Sequence, residues 1–200
     1  MVHSGAAKDP AVANTLSPAL WAALHENRKT LTRAQERAFL AAALDQDDQT
    51  RLLCELLYFT GCRLSEALAL QRDHIDNMQH FVVIHTLKQR GAPALRAVPV
   101  PRSLINRLTA LPVGRDGRLW PYSRWTARRR LLPVLRAAGI DGVAACSHAL
   151  RHSYNARGKR CGLSEGVRCL LLGHRSVRTN EGYGAPLGYE LRDQVRQLWD

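Results

Sequence analysis

The sequence lacks any long apolar run, and its longest apolar stretches, such as FLAAAL, extend for only a few residues. A helix that crosses a bilayer needs about 20 predominantly apolar residues in succession, so we expect no transmembrane segment. The N-terminus MVHSGAAKDP also lacks the apolar stretch of a secretory signal. These absences predict a cytoplasmic protein.

Patterns of disulfide and metal binding are missing as well. The five cysteines are an odd number in a chain without a secretory signal, which favours reduced thiols over a disulfide framework. No acidic cluster resembles those that hold two magnesium ions, and Cys146-x-His148 with the scattered cysteines lacks the ligand spacing of a zinc site. We therefore expect neither a metal nor a cofactor.

Positive charge is abundant and is concentrated in two segments. The net charge is +12 at pH 7. Residues 115–136 contain seven arginines and one aspartate, and residues 151–178 contain seven basic residues and one glutamate. Each segment has a surplus of six, so the two account for the whole net charge. This concentration favours a nucleic-acid partner over the alternative of solvated helix faces, and a membrane surface is disfavoured without an accompanying apolar helix face.

Length and periodicity predict one globular, mainly helical domain, because 200 residues with 46% apolar content can bury an ample core. Helix starts are indicated by Ser17 before Pro18, by a capping box of Thr32 and Gln35, and by Asp47 or Asp48. The helix after Asp47 is expected to end at Gly61. Further helices are predicted over 101–110, 123–138, 148–161, 164–172 and 176–183, and then on an apolar stripe of Leu187, Leu191, Val195 and Leu198.

Two β-branched runs interrupt the helices. HFVVIHT at 80–86 and ALRAVPV at 94–100 flank a turn that contains Lys88, which predicts a β-hairpin. The expected fold class is therefore mainly α with a small antiparallel β-sheet.

Candidate catalytic groups lie in four motifs, and each has an ordinary structural alternative. Arg63 in TGCRLSEALAL follows a helix-ending glycine and could cap that helix, while Lys88 in a turn would by default face solvent. His148 and Arg151 in HALRHS share a helix face and could form a surface pair. The fourth motif is LLGHRSVRTNEGY at 171–183, in which the histidine could favour a helix C-terminus and the tyrosine could bury its ring.

Taken in order, these motifs resemble the catalytic pattern Arg, Lys, His-x-x-Arg, His, Tyr of the tyrosine recombinase (phage integrase) family. The resemblance extends from LTRAQERAFL at residue 31 to the end of the chain. TGCRLSEAL resembles the first arginine box, TLKQRG with LRAVPVP resembles the hairpin that carries the active-site lysine, and HALRHS resembles the His-x-x-Arg-His box. The intervals of 23 residues from Arg151 to His174 and of nine from His174 to Tyr183 also fit the family.

The resemblance implies a metal-independent, site-specific DNA recombinase. Its nucleophile would be Tyr183, which forms a 3′-phosphotyrosyl link, and Lys88 would protonate the leaving 5′ oxygen. Two arginines would neutralise the non-bridging oxygens, one histidine would act as general base or phosphate positioner, and the other would donate to the phosphate. The implied catalytic residues are Arg63, Lys88, His148, Arg151, His174 and Tyr183.

The implied partner is double-stranded DNA in the nucleoid, bound by a self-associating protein in a tetrameric synaptic complex. The stripe that follows the tyrosine resembles the family segment that docks on a neighbouring protomer. SYNARGKRCG at 153–162 departs from the apolar helix common in the family and predicts a basic edge. The predicted DNA contacts are Arg124, Arg128, Arg129, Arg130, Arg157, Lys159, Arg160 and Arg175.

The N-terminal region also departs from the usual family pattern. We expect residues 1–30 to form an extension rather than a full core-binding domain, and residues 31–200 to form the catalytic domain. This organisation resembles the short recombinases typified by fimbrial phase-variation invertases, and a truncated copy is the alternative. Two other functions stay open: a DNA-binding regulator that retains the fold without strand exchange, and a nicking-joining enzyme like the type IB topoisomerases.

Overall fold

The computed structural model describes residues 29–86, 94–173 and 188–199, which form eight α-helices and one three-stranded antiparallel sheet. The helices are α1 (Arg33–Leu44), α2 (Asp48–Thr60), α3 (Leu64–Leu68), α4 (Arg102–Ala110), α5 (Arg124–Ala137), α6 (Ser147–Arg160), α7 (Glu165–Leu172) and α8 (Gly188–Arg196). The strands are β1 (Ile75–Asp76), β2 (Phe81–Thr86) and β3 (Ala94–Pro99). The predicted fold class is confirmed.

Side-chain caps set the helix boundaries near those predicted. Thr32 and Gln35 form the expected capping box, with Gln35 N donating to Thr32 Oγ1 at 3.1 Å and Thr32 N donating to Gln35 Oε1 at 3.0 Å. Of the two aspartates, Asp47 is the N-cap of α2, and its carboxylate accepts from Thr50 N. Gly61 ends α2 in the left-handed conformation. These caps satisfy donors and acceptors that a helix end leaves unpaired.

The predicted hairpin strands pair antiparallel, with Val82 opposite Val98 and Ile84 opposite Arg96. The sequence did not indicate β1, which pairs with β2 through only two residues, nor the five-residue helix α3. Elements of two to five residues are too short to show the periodic pattern of apolar residues from which helices and strands are predicted. The turn at 87–93 and the helices predicted at 17–27 and 176–183 lie outside the described residues.

Helix α2 lies at the centre of the core, where it packs against α1, α4, α5 and α6. The C-terminal helix α8 and the residues just after it also contribute to this core, because Leu191 and Val195 in the helix and Leu198 beyond it are 5%, 0% and 2% exposed. Helix α8 packs on β3 of the same chain. The stripe expected to dock on a neighbouring protomer is therefore buried within its own protomer at these three positions, and Leu187 lies outside the described residues.

Gly61 joins α2 to the segment that carries Arg63, and neither its conformation nor its surroundings accept a side chain. Its φ is +59°, and a Cβ there would lie 2.8 Å from the Cβ of Tyr154. We expect Gly61→Ala to lower the free energy of unfolding, measured by urea denaturation, by about 3 kcal/mol. Gly139→Ala is the matched control, since its φ is +65° but no atom lies within 4 Å, and it should cost about 1 kcal/mol. Equal losses would show that Tyr154 moves aside.

Candidate active site and DNA interface

Arg151 lies on α6 and connects the C-terminal ends of two other helices. Its Nη1 donates to the carbonyl of Gly61 at 2.8 Å, and its Nη2 donates to the carbonyl of Leu172 at 2.6 Å. Gly61 and Gly173 both have positive φ and end α2 and α7. Because the residue is only 7% exposed, its guanidinium is held in a fixed orientation by carbonyls that a helix end leaves without partners.

Arg63 is the N-cap residue of α3, and its guanidinium turns toward a buried carboxylate on the same helix. Its Nη1 donates to Glu66 Oε1 at 2.7 Å, and its backbone N donates to Glu66 Oε2 at 2.9 Å. The Arg63 side chain is 21% exposed, whereas the Glu66 side chain is fully buried. Arg63 thus belongs to the start of α3 rather than to a cap on α2, and part of its guanidinium remains accessible from outside.

Arg63 and Arg151 lie close enough for the charge of Arg63 to affect the pKa of Arg151. The pKa of Arg151 is lowered to about 10, chiefly by burial and next by the positive charge of Arg63, while Glu66 opposes the shift. Burial acts to raise the pKa of Glu66, but hydrogen bonds and positive charge from Arg96 and Arg63 outweigh it and leave that pKa below its usual value. Two guanidinium groups beside one another form a natural site for a phosphate.

His148 lies in the first turn of α6, three residues before Arg151, and is exposed. It lines a cavity of about 420 Å³ together with Arg124, Trp125 and Arg128 from α5 and with Leu64 from α3. The cavity therefore joins the start of the helix that carries Arg151 to basic side chains of α5. His148 and Arg151 lie three residues apart on one helix, as expected. Their environments differ, however, because the His148 side chain is exposed and the Arg151 side chain is buried.

The exposed surface of α5 combines arginines with one large aromatic ring. Trp125 is 65% exposed, and the guanidinium of Arg129 lies 4.6 Å from its ring centroid. Arg124, Arg128 and Arg129 are all exposed. Arg130, in contrast, donates to Asp47 Oδ2 at 2.9 Å. We name Arg124, Trp125, Arg128 and Arg129 the α5 basic face, which leaves Arg130 outside it.

Arg157 is the predicted DNA contact whose position differs most from the expectation. It is 7% exposed, donates through Nη2 to the carbonyl of Tyr58 at 2.8 Å, and lies 3.9 Å above the Tyr58 ring. Its Nη1 lies 3.5 Å from Glu36 Oε2. A buried guanidinium with these partners contributes to packing between α6, α2 and α1, so the prediction of a DNA contact is corrected for Arg157. Lys159 and Arg160 are exposed on the same helix, as expected for a basic edge.

Three of the six predicted catalytic residues, Lys88, His174 and Tyr183, lie outside the described residues, as does Arg175. The structure describes the elements that adjoin two of them in sequence. Strand β2 ends at Thr86, two residues before Lys88, and α7 ends at Leu172, two residues before His174. The structure thus describes Arg63, His148 and Arg151, of which Arg63 and Arg151 lie close enough for the charge of Arg63 to lower the pKa of Arg151. The catalytic roles of all six residues stay predictions.

One buried charged residue near the site was not singled out from the sequence. Arg96 on β3 is 5% exposed and donates to Glu66 Oε2, which also accepts from the backbone of Arg63. The sequence did indicate that Arg96 could be buried, because side chains alternate along a strand and Arg96 therefore lies on the same face as Val98. Both residues are buried.

Metal-binding clusters and membrane-spanning helices are absent from residues 29–86, 94–173 and 188–199. No group of three or more histidine, cysteine, aspartate or glutamate side chains there is arranged to hold a metal ion. Among the described helices, none has the length and apolar character needed to span a bilayer.

Comparison with solved structures identifies the fold, which is that of tyrosine recombinase catalytic domains. XerA recombinase matches 84% of this chain with a TM-score of 0.64 at 21% identity, over 64% of its own length. XerH site-specific recombinase, in a pre-cleavage complex with its difH substrate, matches 86% of this chain with a TM-score of 0.65 at 19% identity, over 50% of its own length.

Residues 29–187 match the phage integrase family, and the chain belongs to that family. Tyrosine recombinase XerD of Corynebacterium glutamicum is 32% identical over 163 residues, which cover 76% of this chain. The match covers 52% of XerD, so this chain spans about half the length of that relative. The predicted family is confirmed, whereas the resemblance to fimbrial invertases stays a prediction.

Proposed function

We propose that this chain carries the catalytic centre of a site-specific DNA recombinase that cleaves and rejoins DNA through a 3′-phosphotyrosyl intermediate at Tyr183. The observation that carries the proposal is the pair of guanidinium groups at Arg63 and Arg151, each fixed by hydrogen bonds and close enough for one charge to affect the pKa of the other. Membership of the phage integrase family supports the same function. In this proposal residues 31–200 form the catalytic domain and residues 1–30 form an extension.

The proposed cleavage step forms one bond at phosphorus and breaks another. The phenol oxygen of Tyr183 attacks the scissile phosphate, its proton passes to His148 as general base, and the bond from phosphorus to the 5′ oxygen breaks. Lys88 gives a proton to the departing 5′ oxygen. Because the new phosphotyrosyl bond replaces the broken phosphodiester, rejoining is the reverse reaction and consumes no nucleotide.

Arg63 and Arg151 stabilise the charge that develops during this step. Negative charge increases on the non-bridging oxygens of the phosphate, where preorganised cationic donors are most effective. Arg151 is already oriented by the carbonyls of Gly61 and Leu172, and Arg63 by Glu66. Neither guanidinium then has to be ordered at the moment of reaction, which lowers the entropic cost of the transition state. His174 completes the proposed set as a donor to the phosphate.

Double-stranded DNA is the proposed partner, and the α5 basic face together with Lys159 and Arg160 supplies the proposed phosphate contacts. The structural relative XerH is bound to its difH substrate, which supports a DNA partner for the same fold here. We further propose that the protein acts in the nucleoid and assembles into a tetrameric synaptic complex on its sites. Inversion of a DNA segment, as in the fimbrial invertases, is the reaction direction that we propose to test first.

To test the function, the DNA that flanks the gene is first sequenced to look for inverted repeats. Nicked suicide duplexes are then built on the repeats that are found. Cleavage releases a short strand that cannot be rejoined, so a recombinase accumulates as a covalent complex that survives denaturing electrophoresis. We expect trapping by the wild-type chain and none by Tyr183→Phe. Retardation on native gels without trapping would instead identify a DNA-binding protein, and relaxation of plasmid DNA without strand exchange would identify a nicking-joining enzyme.

Removing charge from the α5 basic face should weaken the dependence of DNA affinity on salt. For Arg124→Ala with Arg128→Ala we expect the slope of log K against log salt concentration to become shallower by about 2, because each phosphate contact contributes about 0.9. The charge-matched control removes Arg107 and Arg130, which already bind Glu55 and Asp47. An equal change in both double variants would place the DNA interface elsewhere.

A further inference from the structure

Arg96 is a buried arginine whose guanidinium binds three separate segments of the chain. Its Nη2 donates to Glu66 Oε2 at 2.6 Å, its Nη1 donates to Thr86 Oγ1 at 2.7 Å, and its Nε donates to the carbonyl of Leu171 at 2.9 Å. The residue is opposite Ile84 in the sheet, so its side chain lies on the face of the hairpin that meets the core. The three bonds engage α3, β2 and α7 together.

Each of these segments leads to a group that the proposed reaction uses. Glu66 orients Arg63, Thr86 precedes Lys88 by two residues, and Leu171 precedes His174 by three. The carbonyl after Leu171, that of Leu172, accepts from Arg151. The end of α7 is therefore held by two arginines, one from β3 and one from α6.

The chemistry of this position requires an arginine rather than any cation. A guanidinium offers five N–H donors in one plane, whereas an ammonium is a compact point charge that cannot serve three widely placed acceptors. Glu66 is fully buried and its charge needs compensation by nearby cations. The packing is also close, since a Cβ at Gly173 would lie 2.9 Å from both Arg96 Nη1 and Thr86 Oγ1. These contacts leave no room for the end of α7 to shift toward the hairpin.

We propose that Arg96 is a positioning residue for strand cleavage, which fixes the Arg63–Glu66 pair, the end of β2 and the end of α7 in their catalytic arrangement. This inference rests on the proposed function. Arg96 does not have to touch DNA, because it is only 5% exposed and each of its three guanidinium nitrogens already donates within the protein. Its loss should therefore reduce the rate of the chemical step and leave DNA affinity nearly unchanged.

A variant of another buried arginine distinguishes this positioning role from a purely structural role of Arg96. Arg157 is 7% exposed, close to the 5% of Arg96, and it pairs with the buried Glu36 as Arg96 pairs with Glu66. Its hydrogen bond goes to the carbonyl of Tyr58 within α2. Arg157→Met thus removes a buried guanidinium of the same kind without removing a bond to β2, to α7 or to Glu66.

The first experiment compares single-turnover trapping on a suicide duplex at saturating protein and below the melting temperature of every variant. For Arg96→Met we expect a rate constant reduced about tenfold to a hundredfold, similar to the loss at metal sites when the partner that orients a metal ligand is removed, with a Kd for DNA within about threefold of wild type. Arg157→Met should lose thermal stability but trap DNA at nearly the wild-type rate. Equal slowing by both variants would overturn the proposal.

Arg96→Lys keeps the test decisive if Arg96→Met does not fold. It retains a positive charge beside Glu66 but cannot make all three bonds, so we expect a folded protein whose cleavage is slowed about tenfold or more. Trapping by Arg96→Lys at the wild-type rate would show that charge alone is sufficient, and the proposed positioning role would be wrong.

A second experiment needs no DNA and so distinguishes failure of this inference from failure of the proposed function. Backbone hydrogen exchange of Arg96→Lys should accelerate in β2 and at the end of α7 relative to wild type, while in Arg157→Met the acceleration should fall in α1 and α2. Unchanged exchange in β2 and α7 would overturn the inference whether or not the protein cleaves DNA. Absence of trapping by the wild-type chain, with the exchange result as expected, would refute the recombinase function and with it the role of Arg96 in cleavage, while the contacts by which Arg96 holds β2 and the end of α7 would stand.

Discussion

Replacing Arg151 with alanine is expected to reduce the rate of covalent trapping by about a thousandfold or more. Removal of a single preorganised donor to a developing oxyanion costs about a hundredfold to a thousandfold, and Arg151 combines such a donor with a full positive charge. The substitution also removes the donors to the carbonyls of Gly61 and Leu172. Both effects act on the same site, since those carbonyls end the helices that lead to Arg63 and His174.

The variant Arg151→Lys separates the effect of positive charge from the effect of the guanidinium's hydrogen-bond donors. Lysine keeps a charge but lacks the planar set of donors that lets Arg151 bind two carbonyls and still face a phosphate, so we expect most of the rate loss to persist. The native guanidinium has a pKa of about 10, lowered by burial and by the charge of Arg63. It therefore stays charged at neutral pH, as stabilisation of the phosphate requires. Trapping of DNA by Arg151→Lys at the wild-type rate would contradict the proposal that the Arg151 guanidinium stabilises the transition state.

Local signals were sufficient to predict most of the elements. Thr32 with Gln35, and Asp47 with Gly61, satisfy helix ends through side chains and backbone within a few residues, so their role does not depend on the rest of the fold. The β2–β3 hairpin was predictable because its strands are adjacent in sequence and rich in β-branched residues. Arg63, His148 and Arg151 were predicted through motif order, and the structure shows that the charge of Arg63 acts on the buried Arg151.

Long-range contacts account for what could not be predicted. Arg157 stands in a basic run, which suggests a solvated or DNA-facing edge, yet the ring of Tyr58 and the carboxylate of Glu36 lie about 100 or more residues earlier in the sequence and draw its guanidinium inward. Arg96 is similar, because Glu66, Thr86 and Leu171 come from three elements that only the folded chain brings together. Charge counts along a sequence indicate the number of cations but not which ones are buried.

Replacing Lys88 with alanine is expected to slow cleavage of an ordinary phosphodiester by about a hundredfold or more, the usual contribution of general acid catalysis. Without a donor, the 5′ oxygen must leave as a strongly basic alkoxide. Arg63 and Arg151 cannot compensate, because they act on the non-bridging oxygens. Measurement of single-turnover trapping for Lys88→Ala, with binding measured in parallel, would distinguish this loss from a loss of DNA affinity.

A substrate with sulfur in place of the bridging 5′ oxygen tests the role of Lys88 itself. The leaving thiolate is a much weaker base and needs little protonation, so Lys88→Ala should regain nearly the wild-type rate on this substrate. Arg63→Ala should stay impaired, since the charge on the non-bridging oxygens remains whichever atom leaves, and Tyr183→Phe should be inactive on both substrates because the nucleophile is absent. If sulfur does not rescue Lys88→Ala, the proton comes from another group, and His148 and Arg90 are the next residues to substitute.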